Sequence, residues 1–301
     1  MALMDREGIY IDSTEANAII SYFYNDKIRF EKPPPVNRER EKELIENLLA
    51  RLNVRKAGIH PFLLRTLLKY CEVAKEYSYA KSLWRSLLPH LRTDSKEEIV
   101  KCYEKCADVL QWSNDRAMLE HLLNEMHVKK LPVPEKVYIA LLGVYTQAGL
   151  SMQAQKILVQ MAEDGHKPNL LVLNMLLSMY AKHGDVHGAH KMMDIIEEHG
   201  FKPNASTYSS LLFLYSSVGD VESIRITYEE AKQNGVDVLR PYALAILAAN
   251  GPPESVQALR EELTQMGKLD AGFMNGMIIY YTRRQEIDTA MDIFEQMKHK
   301  R

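Results

Sequence analysis

Histidine and cysteine spacing is where this 301-residue chain first suggests chemistry. His187 and His190 stand one helical turn apart with His183 just upstream, a spacing on which imidazoles can hold zinc. Gly184-Asp185 reads as a turn between helices, however, which puts His183 on a different helix from the other two. Zinc would also need a fourth ligand or water and a supporting shell, for which no residue can be named, so no metal is expected. Cys102 and Cys106 can share a helix face, yet no second ligand pair follows at a usual spacing. With Cys71 they are the chain's three cysteines, too few and too clustered for a disulfide framework. They read as small buried thiols in a reducing interior. Neither a Gly-rich phosphate loop nor a Ser-His-Asp arrangement emerges. The expectation is a chain with no catalytic residues, no cofactor and no small-molecule substrate, and therefore not an enzyme.

The elements that would position any site are written three times over. Leu141, Leu142, Tyr145, Gly149 and Gly165 recur 35 residues later as Leu176, Leu177, Tyr180, Gly184 and Gly200, then as Leu211, Leu212, Tyr215, Gly219 and Gly235. A fixed period of this size signals stacked supersecondary units, each too small to bury its apolar face alone. Within the unit 170–204, Leu173, Leu176, Leu177 and Tyr180 form one helical stripe that ends at Gly184. Asp185 can cap a second helix carrying Val186, Ala189, Met192, Met193 and Ile196, which stops at Gly200. No alternating β pattern interrupts. The fold expected is all-α, an α-solenoid of helix-turn-helix hairpins with right-handed stacking.

Period and wording together resemble the pentatricopeptide repeat family. One unit quotes Leu141-Leu142, Tyr145, Gly149, Ala154, Met161, Gly165 and Pro168-Asn169; the next quotes Asn174, Leu176-Leu177, Tyr180, Gly184, Ala189, Gly200 and Pro203-Asn204. A tetratricopeptide array has a similar period, but its small and aromatic columns fit less well than these Pro-Asn closings. On this frame the repeats run 135–169, 170–204, 205–238, 239–270, shortened around Gly251-Pro252-Pro253, and 271–301, incomplete. Residues 61–134 read as degenerate helical repeats and 37–60 as a linking amphipathic helix with Leu44, Ile45, Leu48, Leu49 and Leu52 on one face, packed against the first hairpin. Residues 1–36 hold a repeat-like helix over 13–23 and then Pro33-Pro34-Pro35, which cannot lie inside a helix. The apolar seams of 271–301 predict cover by a partner or by further residues, since terminal repeats need a polar outer face.

The resemblance implies binding of single-stranded RNA, one repeat per base, on a concave face built from first helices. The fifth and last residues of a unit would meet the base edge, giving Ile139 with Asn169, Asn174 with Asn204, Ser209 with Val238, Ala243 with Asp270, and Asn275 without a closing partner. Of these, Asn174 with Asn204 would favour a pyrimidine, because an amide offers both donor and acceptor. Asn169 and Asn204 also follow a proline at a unit boundary, where Asn is a turn former and helix cap in its own right. Asn174 is expected on the open side, since an unpaired amide in a core is costly. Lys136, Lys182, Arg240 and Arg283, in or near first helices, are the candidate backbone contacts.

Charge bounds that reading. With 38 Lys and Arg against 40 Asp and Glu the formal net charge is −2, so no uniformly basic surface is available and only a local basic stripe could serve RNA. No apolar run is long enough to cross a bilayer. The first residues resemble neither a secretory signal nor a transit peptide. The family resemblance implies an organellar location, mitochondrion or plastid. The function expected is a component of, or factor for, mitochondrial translation such as a mitochondrial ribosome subunit, contacting single-stranded RNA and ribonucleoprotein subunits. The alternatives are an autonomous transcript-specific processing or stability factor and a protein scaffold without RNA.

Overall fold

In the computed structural model, residues 13–24, 38–52 and 58–299 are described. Among them are sixteen α-helices and no strand beyond an isolated parallel bridge between Ile59 and Leu91. The chain forms two compact units, Met1–Tyr145 with Ile157–His166, and Thr146–Lys156 with Lys167–Arg301.

In the first unit, α1 (Ser13–Tyr24) packs on α3 (Pro61–Ala74), and α3 packs on α5 (Lys96–Ser113). Each first helix is backed by a second: α4 (Tyr77–Leu87) behind α3 and α6 (Arg116–Val128) behind α5. The amphipathic helix α2 (Arg38–Arg51) buries Ile45, Leu48 and Leu49 and is tied to the α3–α4 hairpin. There Tyr70 donates to Glu41 at 3.0 Å and Lys42 pairs with Glu76 at 2.7 Å. The hairpins are riveted by ion pairs between Arg65 and Glu98 (2.7 Å), Lys105 and Glu72 (2.5 Å), and Lys81 and Asp115. The proline run 33–35 lies outside the described residues.

The chain continues through α7 (Glu135–Gln147) and α8 (Ser151–Glu163) into the second unit, where four hairpins follow. Their first helices are α9 (Leu170–Lys182), α11 (Ala205–Val218), α13 (Leu239–Ala248) and α15 (Ala271–Arg283). Their second helices are α10 (Val186–Glu198), α12 (Val221–Gln233), α14 (Pro253–Gln265) and α16 (Ile287–His299). First helices pack on first helices, α9 on α11, α11 on α13 and α13 on α15. The repeated columns explain why. Leu176, Leu177 and Leu212 are wholly buried, as are Ala189, Ile224 and Val256 on the second helices. Each large aliphatic side chain so enclosed contributes about 1.5–3 kcal/mol.

The tyrosine column adds a polar pin between hairpins. Tyr145 donates to Glu120 at 2.5 Å, Gln155 donates to the Tyr180 hydroxyl at 2.5 Å, and Tyr215 meets His190 Nε2 at 2.8 Å. Glu120, Gln155 and His190 occupy the same place, the fifth residue of a second helix. Turns inside hairpins need a left-handed residue: Gly184 supplies it at φ +66°, and in later turns Asn250 (φ +55°) and Gln285 (φ +64°) stand there instead. Asp185, Asp220 and Asp270 cap the helices that follow, accepting from the amides of Gly188, Ser223 and Phe273 at 2.8–3.0 Å. The face of α16 that carries Ile287, Met291 and Phe294 is exposed.

Candidate nucleic-acid interface

The first helices of the second unit carry no carboxylate. Neither α9, α11, α13 nor α15 contains an Asp or Glu, while Lys182, Arg240 and Arg283 are exposed on them. Each of the second helices α10, α12, α14 and α16 carries three. In the second unit the near-zero net charge of the chain therefore conceals a segregation: acids on second helices, cations without acids on first helices. The carboxylates at the N-terminal ends of α13 and α15 are engaged. Asp237 pairs with Lys268 at 2.8 Å, and Asp270 caps α15 while accepting from Arg240 Nε at 2.5 Å. The Phe273 amide, with Arg240 beside it, holds the Asp270 carboxyl below its usual range against a smaller opposing effect of burial.

The structure brings Asn174 and Asn204 together. Asn174 Nδ2 donates to Asn204 Oδ1 at 3.2 Å, and Thr207 Oγ1 donates to Asn174 Oδ1 at 2.8 Å. Asn174 is 5% exposed, so the expectation that it lies on the open side is corrected. It is buried but not unpaired, because Thr207 of the next hairpin reaches back to it and removes the penalty that argued against burial. Asn204 is exposed and caps α11, its Oδ1 accepting from the amides of Ser206 (3.0 Å) and Thr207 (3.2 Å) in a capping box that Thr207 completes. Its Nδ2 makes no hydrogen bond among the described residues.

Asn169 is half-buried and caps α9 through the Val172 amide at 3.0 Å. Ile139 on α7 is half-buried, and Lys136 on the same helix is exposed. Ser209 is half-buried in the wall of a cavity of about 380 Å³ between α11 and α13, with Phe213, Arg240 and Leu244. Val238 and Ala243 are buried, whereas Asn275 is exposed on α15. Two side chains escaped the sequence reading: Leu171 at 55% exposure on α9 and Phe213 at 52% on α11. A signal for Phe213 was present, since its column otherwise holds Gly143 and Ser178, where an aromatic ring is out of pattern.

The histidines do not converge. His183 Nδ1 lies 2.8 Å from the Met179 carbonyl and His190 is held by Tyr215. Cys71, Cys102 and Cys106 are all buried, and desolvation pushes the Cys71 and Cys102 thiols up to about 12.

Comparison with known proteins agrees with this architecture. A pentatricopeptide repeat domain model matches residues 121–183, a PPR repeat family model residues 168–215, and a PPR repeat model residues 206–236 and 273–301. The solved pentatricopeptide repeat protein PPR10 from maize superposes with a TM-score of 0.55 at 15% identity, over 99% of this chain and 50% of that one. The same protein in complex with an 18-nt psaJ RNA element gives the same TM-score and identity over 52% of its chain. This chain thus spans about half the length of the solved proteins it matches, and at such identity the likeness concerns the fold. No curated protein matches the sequence. The recurring columns, the stacked hairpins and the three family models make the chain a pentatricopeptide repeat protein.

Proposed function

We propose that this chain binds single-stranded RNA along its first helices, without catalysis, as an organellar factor of the mitochondrial translation machinery. The observation that carries this reading is the absence of carboxylates from α9, α11, α13 and α15 beside the exposed Lys182, Arg240 and Arg283. A polyanion is attracted to such a strip and repelled by the second helices, whatever the net charge of the whole. The repeats proposed to contribute are 135–169, 170–204, 205–238, 239–270 and 271–301.

Asn204 would offer its unspent Nδ2 to a base acceptor, with Asn174 fixing the amide through its own bond. Asn169, Ser209, Asp270 and Asn275 are the further base-edge candidates, and Lys136 joins the three cations of the second unit at the backbone. The conspicuous groups are amides, cations and exposed apolar side chains, which bind and stack rather than turn a substrate over. PPR10, whose fold is shared, is solved with a bound RNA element, which supports RNA as the ligand class.

Enrichment of the purified chain on a random single-stranded RNA pool at near-physiological salt tests the binding. A pyrimidine-containing motif recovered over duplex RNA is expected, and equal recovery of duplex and single strands would overturn it. Co-sedimentation of the tagged chain with mitochondrial ribosomal subunits tests the setting; release from organelles as a free protein, insensitive to ribonuclease, would refute it.

A further inference from the structure

The second helices of the second unit carry a feature that RNA binding leaves unused. Between α10 and α12 lies an open groove of about 410 Å³, with Met193 and Ile226 on its walls and Leu211 and Tyr215 of α11 at its floor. Its rim carries Asp194 and Glu230, both exposed.

Comparison of equivalent positions shows why this groove stays open. Met193 is the eighth residue of α10; the eighth residues of α12 and α14 are Tyr228 and Arg260. Tyr228 stacks on Tyr242 of the following hairpin with ring centroids 4.0 Å apart, and Arg260 Nη2 donates to Gln296 of α16 at 3.0 Å. Both side chains bridge to the next hairpin, whereas Met193 is an unbranched thioether able to adapt to an inserted group. Ile226 is the second anomaly. At 60% exposure it is a bare aliphatic side chain, where α10 has Lys191, α14 has Ala258 and α16 has Asp292. An apolar residue out of pattern, at the edge of an open groove and rimmed by carboxylates, has the composition of a docking site.

We infer that the α10–α12 groove docks a protein partner through a basic segment whose aliphatic side chain enters between Met193 and Ile226 while flanking Lys or Arg side chains meet Asp194 and Glu230. Charge selects this occupant. The three carboxylates on each of α10 and α12 repel RNA and acidic peptides, and the apolar walls discriminate against a purely cationic chain. Such a contact uses the opposite kind of helix from the RNA strip, so that one hairpin pair can hold RNA and protein together.

The probes are three fluorescein-labelled twelve-residue peptides: a Lys-Leu repeat, a Glu-Leu repeat and oligolysine. Polarisation is read with the full chain, its Ile226→Lys variant and its Glu230→Gln variant. The expected result is preferential binding of the Lys-Leu peptide, weakened about tenfold or more by Ile226→Lys, which removes one buried aliphatic contact and adds a like charge. Glu230→Gln should weaken it less, and single-stranded RNA should neither displace the peptide nor lose affinity for either variant. Ile226 is exposed, so its replacement leaves the fold intact, which a thermal melt verifies. Equal binding of oligolysine, indifference to Ile226→Lys, or displacement by RNA would each overturn the assignment.

Discussion

If the carboxylate-free strip is what RNA meets, the salt dependence of binding must reside in cations of the first helices and not in cations at large. The perturbation is the triple substitution of Lys182, Arg240 and Arg283 by alanine, compared with a triple of equal charge on second helices, Lys191, Arg225 and Lys232; all six are exposed. On a single strand each neutralised phosphate contributes about 0.7 to the slope of log affinity against log salt. Three contacts therefore account for a slope of about 2, and for an extra loss of about twentyfold between 50 and 200 mM salt. Arg240 sets the lower bound. It already donates to Asp270 at 2.5 Å, so exchanging that partner for a phosphate releases less counterion, and two full contacts correspond to about 1.4. The assay is fluorescence polarisation of a twelve-nucleotide uridine-rich RNA at four salt concentrations. The first-helix triple should flatten the slope by between about 1.4 and 2, and the second-helix triple should leave the slope unchanged, with affinity at most slightly weaker. Equal flattening by both triples would refute the reasoning, because RNA would then respond to total charge rather than to its placement.

The Asn174–Asn204–Thr207 cluster separates stability from recognition. Asn174→Ala should cost about 1–3 kcal/mol by removing one buried and one part-buried hydrogen bond, visible as a fall of several degrees in the melting temperature; an unchanged melt would contradict the bonding described. Asn204→Asp keeps the cap that Ser206 and Thr207 need but removes the Nδ2 donor, so the melt should hold while RNA affinity falls, and unaltered affinity would exclude Asn204 from the site. Burial pushes all three cysteine thiols up, so Ellman's reagent at pH 8 should find none in the native chain and three in denaturant; a reactive native thiol would show local opening. The Ser223 hydroxyl and amide lower the Asp220 carboxyl, and the Phe273 amide and Arg240 lower that of Asp270. Their stabilisation is present above the unfolded value near 4 and is lost as pH falls through the lowered folded values. Between pH 4 and 2 the urea midpoint should therefore drop less in an Asp220→Asn, Asp270→Asn double variant than in the parent, and an equally steep drop would place the acid sensitivity elsewhere.

The hairpins were legible because the information for them is local and repeated. Leu176-Leu177, Gly184 and Asp185 each act within a few residues: stripe, left-handed turn and cap. The burial of Asn174 was not legible, since the group that satisfies its oxygen is the hydroxyl of Thr207, 33 residues away on the next hairpin. Nor did the histidine spacing reveal that His190 belongs to the tyrosine pin, a role seen only when Glu120, Gln155 and His190 are found in one column facing Tyr145, Tyr180 and Tyr215. A local basic stripe through Lys136, Lys182, Arg240 and Arg283 was legible, whereas the absence of carboxylates from α9, α11, α13 and α15 emerges only with the helix bounds. A sum over the chain gives −2, whereas sorting the charges of the second unit by first and second helix gives strips of different character.

That sorting bears on how an array of this kind keeps its fold and its ligand chemistry compatible. Asn204 has to cap α11, and a cap consumes an acceptor, so Oδ1 is committed to backbone amides before any RNA arrives. An aspartate would cap equally well, as Asp185, Asp220 and Asp270 do, but it would bring a negative charge to the end of the first helix and no donor. Asparagine separates the two demands within a single side chain: the oxygen holds the helix, the nitrogen stays available, and no charge opposes a phosphate backbone. The aspartate caps follow the same logic. Asp185 and Asp220 begin second helices, on the acidic side, while Asp270, which begins a first helix, is the one whose charge is met by an arginine from the neighbouring hairpin. Within the second unit the choice of cap thus tracks the strip on which it falls, as expected if the charge of its first helices is constrained by what they bind.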